Sequence, residues 1–432
     1  MTAEAGPRAG ANASSPMLMV LLLAMTYGLA YYDRLMMSVV GELVKHEFAL
    51  SDKQLSLLTG ASFVVIYGTF GILAGWLVDR ESRKRILIGA LLLYTAMTVA
   101  CGMAQSWLQL ALARAGVGVG EAANVPTGIS AIADRYPVAK RPLAIGIFYA
   151  GGTLGILISF LGGTWVAAEY GWRMAFLVAG PPGLLIAALI ALFFREPARE
   201  SYTAALGSQT GPVTAPKTST FILIAQNRPL VWLLFGGAIA TFMNVGLLQW
   251  LPNFFLRSHD LSLKEVGLYF GPVLAGGMSV GLLAGGWLGN RIAARSVTNL
   301  IWTTAGIVFA LIPMYLLIFW LPSLAGAMAA TFVGTTMSVL YAPSYNTAWQ
   351  SLCDPRARGT AAGVSSFANA MIGGAGCTYV VGMMSDAWAP AFGKDSLRYA
   401  MSAGLLFCLV SALLFVYAAR MVSASEQRSC GA

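Results

Sequence analysis

The sequence predicts an all-α membrane protein of twelve transmembrane helices, folded as two six-helix bundles related by pseudo-two-fold symmetry, and three observations lead there. The 432 residues are 57% hydrophobic and only 10% charged, whereas an ordinary soluble domain carries about 25% charged residues. Apolar runs of roughly 20 residues, each long enough to cross a hydrocarbon core about 30 Å thick, recur along the whole chain. Two short segments of the first half also return in the second. Lipid is therefore the solvent for most of this protein, and most soluble folds are excluded.

Taken in order, the stretch from Met1 to Pro16 is rich in Ala, Gly and Ser and carries one cation, Arg8. The apolar run behind it has no cleavage signal of the secretory kind and is expected to be retained as the first span. Runs bounded by charges, Gly and Pro place helices at 17–44, 53–78, 86–105, 107–136, 141–167, 172–194, 230–256, 264–290, 297–319, 322–351, 358–387 and 396–420. Between the sixth and seventh lies a Ser, Thr, Pro and Gly rich stretch that reads as a linker. The expected organisation is a first bundle over 1–194, a cytoplasmic linker over 195–228 and a second bundle over 229–432.

An even number of spans puts both termini on one side of the membrane, and the cations decide which side. Of the 27 Lys and Arg, only Lys45, Lys53, Arg173, Arg257, Lys264, Lys394 and Arg398 fall opposite the termini, while Arg34 and Arg114 sit inside helices. The rest cluster on the terminal side, so both termini are expected in the cytoplasm and the chain in a bacterial-type inner (plasma) membrane. The net charge of +9 is thereby a signature of orientation, with no nucleic-acid partner implied.

The repeat is specific. Gly75-Trp-Leu-Val-Asp-Arg80 ends the second helix, and Gly286-Trp-Leu-Gly-Asn-Arg291 ends the eighth, 211 residues later. Arg141-Pro-Leu-Ala-Ile-Gly146 and Arg358-Gly-Thr-Ala-Ala-Gly363 repeat at an offset of 217. Two matches at nearly one offset indicate duplication, and parallel halves rocking about a midplane site are a recurrent transporter design.

Gly75-Trp-Leu-Val-Asp79-Arg80-Glu-Ser-Arg83-Lys84-Arg85 resembles the signature loop of the major facilitator superfamily, and Arg114-Ala-Gly-Val-Gly118 resembles that superfamily's second motif. Tyr32-Asp33-Arg34, followed by Leu112-Ala-Arg-Ala-Gly-Val-Gly-Val-Gly-Glu-Ala122, is most similar to the Spinster branch, which is associated with lysolipids and sphingoid phosphates. An Asp-Arg pair in the first helix is shared by the anion and cation symporter branch. The resemblance implies a cytoplasmic gate of Gly75, Asp79, Arg80, Arg83 and Asp134: Asp79 faces the start of helix eleven and Arg83 pairs with Asp134, contacts expected only when the halves close on the cytoplasmic side.

A charge at the bilayer centre costs a few kcal/mol or more, so Asp33, Arg34, Arg114 and Glu121 must pair, face water or change protonation. Arg114 and Glu121 are seven residues apart, nearly on one helix face and about 10 Å apart along the axis. Asp33 and Arg34 point roughly 100° apart and cannot face the same neighbour. Glu121 is the candidate proton-coupling residue, pairing with Arg34 or Arg114 in one conformation and not in another. A fixed architectural network and direct anion binding by either forked arginine are the competing readings. In the second half, Asn244, Gln249, Trp250, Tyr341, Ser344, Tyr345, Asn346 and Asn369 are candidate cavity residues, along with Arg34 and Glu121 from the first. Each of the former taken singly is better explained by helix packing or a place at the membrane interface.

Other features narrow the class. The five cysteines lack the spacing of a disulfide or zinc framework; His46 and His259 fall in outer loops or helix ends. Gly116-Val-Gly-Val-Gly120 lies within an apolar run with no P-loop Lys-Ser/Thr, so nucleotide-driven transport is set aside. No nucleophile and base constellation supports an enzyme. The expected function is a secondary active transporter, proton-coupled, moving an amphiphilic anion such as a lysophospholipid or sphingoid phosphate by alternating access. The alternative is a small carboxylate symporter. The bilayer, the substrate and protons are the expected partners, with no cofactor or metal, and the chain is expected to work as a monomer.

Overall fold

A computed structural model of the chain describes residues 15–137, 140–196, 220–293, 295–354 and 357–430. Among the described residues there is no strand, and ten helical stretches are long and apolar enough to cross a membrane. One of these, Thr360–Ala424, is two rods separated at Gly393, whose φ of 55° suits only a residue without a Cβ. The rod over 107–135 is broken into Trp107–Glu121 and Asn124–Arg135 and carries two buried charges, so it is less apolar than the rest. Twelve rods result: α1 (Pro16–Val39), α2 (52–80), α3 (Arg83–Met103), α4 (107–135), α5 (141–170), α6 (Trp172–Phe193), α7 (Arg228–Ser258), α8 (Leu263–Ala293), α9 (Val297–Trp320), α10 (Leu324–Leu352), α11 (358–392) and α12 (Ser396–Cys430).

The expected boundaries shift in three places. The first helix stops at Val39 and a separate turn of helix, Gly41–Glu47, follows it. The last runs to Cys430, ten residues beyond the expected end. A helix, Thr220–Gln226, occupies part of the expected linker, of which 197–219 lies outside the described residues.

Local signals recur between the halves as strongly as the sequence repeat. Ser82 and Ser106 accept backbone N–H bonds at the starts of α3 and α4, and Ser296 and Ser323 do the same for α9 and α10. Such caps are worth about 1 kcal/mol each. Both α4 and α10 break just before a proline, Pro126 and Pro343, where the ring removes an N–H and crowds the preceding turn. Neighbours match as well: α1 packs on α5 and α6, α2 and α3 on α4, and α3 on α6, while α7 packs on α11 and α12, α8 and α9 on α10, and α9 on α12. Trp76 beneath Arg80 has its twin in Trp287 beneath Arg291, at 4.2 and 4.4 Å from guanidinium to ring centroid.

The bundles meet through α2 against α11, α5 against α8, and α1 against α7. Wide π-helical turns fall on four of these six helices, at 57–61, 159–163, 242–247 and 369–376. Each wide turn contains glycine, and the glycine is where a neighbour comes close. A Cβ on Gly60 would collide with Thr378, one on Gly246 with Cys377, and one on Gly373 with Thr241. Small residues thus let backbones approach while the widened turn absorbs the extra residue.

Polar contact between the bundles is concentrated at the face opposite the termini. There Arg257 of α7 grips Asp52 of α2 through two N–H···O bonds of 2.7 and 2.6 Å and reaches Glu42 through Nε at 2.7 Å. Lys45 donates to Asp52 at 2.5 Å, and Ser385 of α11 donates to it at 2.6 Å. Asp386 accepts the first backbone N–H groups of α2, from Asp52 and Lys53, at 2.7 and 2.8 Å, where the helix dipole favours a carboxylate. Lys264 of α8 pairs with Glu169 of α5. Arg257, expected in an outer loop, is therefore a central cation of the closed face. Beside this closure, partial burial raises the pKa of Glu47, but hydrogen bonds from Trp172 and Arg173 outweigh that and hold it below the usual carboxylate range. Toward the terminal face the helices part: Gly68 still meets Ala370 and Met371 at 3.5 and 3.6 Å, while Gly71 and Gly75 of α2, Gly146 of α5, Gly286 of α8 and Gly363 of α11 face open space.

Candidate functional site

The intramembrane charges resolve into two ion pairs between α1 and α4. Arg114 Nη1 donates to Asp33 Oδ2 at 2.6 Å, with both side chains 1% exposed, and Thr98 of α3 donates to Asp33 Oδ1 at 3.0 Å. Arg34 Nε donates to Glu121 Oε2 at 2.6 Å. Adjacent residues on α1 point in different directions, and residues seven apart on α4 share a face, so each member of one pair meets a different member of the other. The carboxylate of Glu121 is fully buried, and its Oε1 has no protein partner.

The two pairs differ in access. Arg114 is sealed under Phe63, 5.0 Å from its ring centroid. Arg34 keeps 21% of its side chain exposed and only its Nε is engaged, leaving both terminal nitrogens for another partner. Its guanidinium lies against Tyr67, Phe63 and Tyr31, at 4.5, 5.2 and 5.3 Å from the ring centroids. Tyr27 hydrogen-bonds Tyr31 at 3.4 Å and packs on Tyr149 with centroids 5.3 Å apart. A tyrosine group drawn from α1, α2 and α5 therefore surrounds one fork of free N–H donors, on helices that face the other bundle. Sequence reasoning missed these tyrosines; the one available signal was the spacing of Tyr27, Tyr31 and Arg34 on successive turns of one helix.

In the second bundle the expected residues divide. Trp250, Tyr341 and Tyr345 are buried in the packing of their own bundle, where Trp250 Nε1 donates to the carbonyl of Thr378 at 3.2 Å and Tyr345 bonds Ser365 at 3.3 Å. They line no cavity in this conformation, because their large rings are what fills the space between α7, α10, α11 and α12. Asn346 spends its amide on Ala342 and accepts from Trp349. Ser344 Oγ is buried without a protein partner. Gln249 and Asn369 are half-buried with unpaired carbonyl oxygens, and Gln249 lies beside α1, where its backbone carbonyl accepts from Ser38. The side chains of Asn244 and Asp79 lie outside the described residues.

At the expected gate, Arg83 pairs with Asp134 inside the first bundle. This pair exists while the terminal face is open, so it does not depend on closure: both residues move with the same bundle. Glu196 reinforces it by accepting from Ser82 at 2.5 Å and from the backbone of Arg83 at 2.7 Å. Among the described residues no His, Cys, Asp and Glu group has the makings of a metal site.

Residues 23–377 match the sequence profile of the Major Facilitator Superfamily. An MFS-type efflux pump of Mycolicibacterium smegmatis is 30% identical over 91% of this chain and 89% of its own length. A probable sulfoacetate transporter of Cupriavidus necator is 32% identical over 64% of this chain and 65% of its own. Among solved structures, a bacterial homologue of the human lysosomal transporter Spinster, in an inward-facing and unoccupied conformation, superposes with a TM-score of 0.81, at 27% identity, over 94% of this chain and 97% of that one.

Proposed function

Since the chain belongs to the Major Facilitator Superfamily and is a membrane transporter, we propose that it carries an organic anion together with protons by alternating access, with Arg34 holding the anion and Glu121 the proton. The observation that carries this reading is the half-used guanidinium of Arg34: its Nε is engaged by Glu121, its outer fork is free, and aromatic rings surround it. Carboxylates, sulfonates and phosphates all match that fork. Protonation of Glu121 withdraws the internal counter-ion and leaves the charge of Arg34 to the substrate. By linkage, a bound anion in turn favours the protonated carboxyl. Cargo and proton then travel together.

A compact acid fits best. The groups around the fork are tyrosines, which offer hydroxyls and flat faces, and the aromatic residues expected to line the cavity in the second bundle, Trp250, Tyr341 and Tyr345, are buried in packing. The sulfoacetate relative supports the same choice. The amphiphile reading draws on the Spinster-like structure, which extends over nearly the whole chain. Uptake into proteoliposomes of labelled sulfoacetate, a hexuronate and benzoate, competed with lysophosphatidylcholine, separates the two. Saturable uptake of a small acid, stimulated by an inward proton gradient, is expected; exclusive competition by the lysolipid would transfer the reading to the amphiphile, and flux indifferent to pH would end the coupling role.

The second proposal concerns the gate. Gly71, Gly75 and Asp79 on α2 are read as the surface that docks on the start of α11 when the terminal face closes, with Arg80 beside it. The clear space around Gly75 and Gly363 supports this. Both termini are placed in the cytoplasm on the distribution of cations, in a bacterial inner membrane, with the halves divided at 194 and 229; reporter fusions to either end test the orientation.

A further inference from the structure

The ends of α2 and α8 carry the same surface twice, and the gate proposed above draws on none of it but Arg80. On α2 the residues Ile72, Trp76 and Arg80 are spaced four apart, as are Leu283, Trp287 and Arg291 on α8. Residues four apart share a helix face. Ile72 and Leu283 are 63% and 76% exposed, and Trp76 and Trp287 are 53% and 58% exposed. The stripe on each helix lies opposite the face that packs on its own bundle, marked by buried Val78 on α2 and by buried Gly281, Gly285 and Gly289 on α8. Each guanidinium is laid on its own tryptophan and is paired with no carboxylate among the described residues.

Three chemistries in line set the depth of this surface. The aliphatic residue belongs in hydrocarbon, the tryptophan at the interface, and the arginine one turn further, about 6 Å, at the level of lipid phosphates. Stacking on the indole holds the guanidinium plane and leaves its N–H groups free for a phosphate oxygen. Six crossings separate the two helices, so both stripes end at the same membrane face. We propose that Trp76–Arg80 and Trp287–Arg291 are twin docking sites for the phosphate of an anionic glycerophospholipid, one on each bundle. Since α2 and α8 are interface helices, each bundle is thereby tied to the leaflet about which it rocks. A net +9 chain gives the surface the charge to select anionic over zwitterionic lipid. The inference is independent of the transported substrate.

Native mass spectrometry of the purified full chain in detergent, titrated with palmitoyl-oleoyl phosphatidylglycerol or phosphatidylcholine, tests it. The wild type should retain phosphatidylglycerol in preference, and added inorganic phosphate should not displace it. Arg80→Gln with Arg291→Gln should weaken retention by about fivefold per arginine. Trp76→Leu with Trp287→Leu should weaken it while leaving the charge in place. Arg80→Lys with Arg291→Lys, which keeps charge and loses the stacked plane, should fall between and serves if the glutamine pair does not fold. Equal retention of the two lipids by the wild type, or retention of phosphatidylglycerol unchanged in all three pairs, overturns the proposal.

Discussion

At the scale of single residues, the two intramembrane ion pairs should respond oppositely to mutation. Arg114 and Asp33 are sealed, so removing the arginine strands a carboxylate in a dry site, and breaking a buried pair in this way costs about 3–5 kcal/mol. Arg114→Met should therefore lower the melting temperature in detergent markedly, and adding Asp33→Asn should restore part of it, because the stranded charge is gone. Arg34 reaches open space, and its loss leaves the buried Glu121 to take up a proton rather than stand as an unpaired charge, so it should be milder for stability but severe for transport: Arg34→Met should lower the melting temperature by less than Arg114→Met and show no detectable anion binding. Glu121→Gln keeps the size and one hydrogen bond to Arg34 while fixing a neutral state. It should bind anion with little dependence on pH and lose the stimulation of uptake by a proton gradient, a result read from the same proteoliposomes. The four charges were visible in the sequence because an ionised group in an apolar run has few innocent explanations. Which carboxylate meets which arginine followed only in part from helix geometry. The tyrosines around Arg34 were invisible, since a tyrosine in a transmembrane run costs little and signals nothing by itself.

At the scale of the helix, glycine decides where the bundles touch. Gly60 of α2 lies against Thr378 of α11, whereas Gly75 on the same helix faces nothing. The same substitution should thus have opposite meanings at the two positions. Gly60→Val should disfavour the present conformation, in which the face opposite the termini is closed, and raise the labelling of a cysteine introduced at Gln249. Gly75→Val should fold normally, since its added methyls meet open space, and arrest the protein in the present conformation, with transport lost and Gln249→Cys protected. Equal labelling of the two variants would sink this account of the interface. Helix number and order were readable from hydropathy, because a span needs only length and apolarity. The breaks in α4 and α10 were half-readable through Pro126 and Pro343, and the wide turns were not readable at all: they arise from close approach of a second helix, which no local pattern encodes. Trp250, Tyr341 and Tyr345 went astray for the same reason, since polarity marks a residue as able to line a cavity, while only packing shows whether it is already spent.

At the scale of the whole molecule, duplication supplies a symmetric frame, and charge is distributed on it asymmetrically. Shifted by the repeat offset of 217, Arg114 and Glu121 fall on Thr331 and Ser338 of α10, whose hydroxyls are bonded back to their own helix. Asp79 has its counterpart in Asn290. Chemistry is thus concentrated in the first bundle, and the second acts against it as the moving wall. The strongest tie between the two is Arg257, which crosses from α7 to Asp52 and Glu42 with hydrogen bonds no longer than 2.7 Å. Asp52 is also held by Lys45 of its own bundle and by Ser385, so losing Arg257 does not strand it wholly uncompensated. The lower end of the range for a broken buried pair, about 3 kcal/mol, is the appropriate figure, and it corresponds to roughly a 150-fold change in the ratio of closed to open states. Arg257→Gln should therefore populate the opposite conformation. Interspin distances between labels on α1 and α7 at that face should lengthen, and those between α4 and α10 at the terminal face should shorten. Both must change, because rigid bundles rocking about one interface cannot open at one end without closing at the other; a lengthening at the first face with no shortening at the second would mean local fraying and would count against alternating access by this frame.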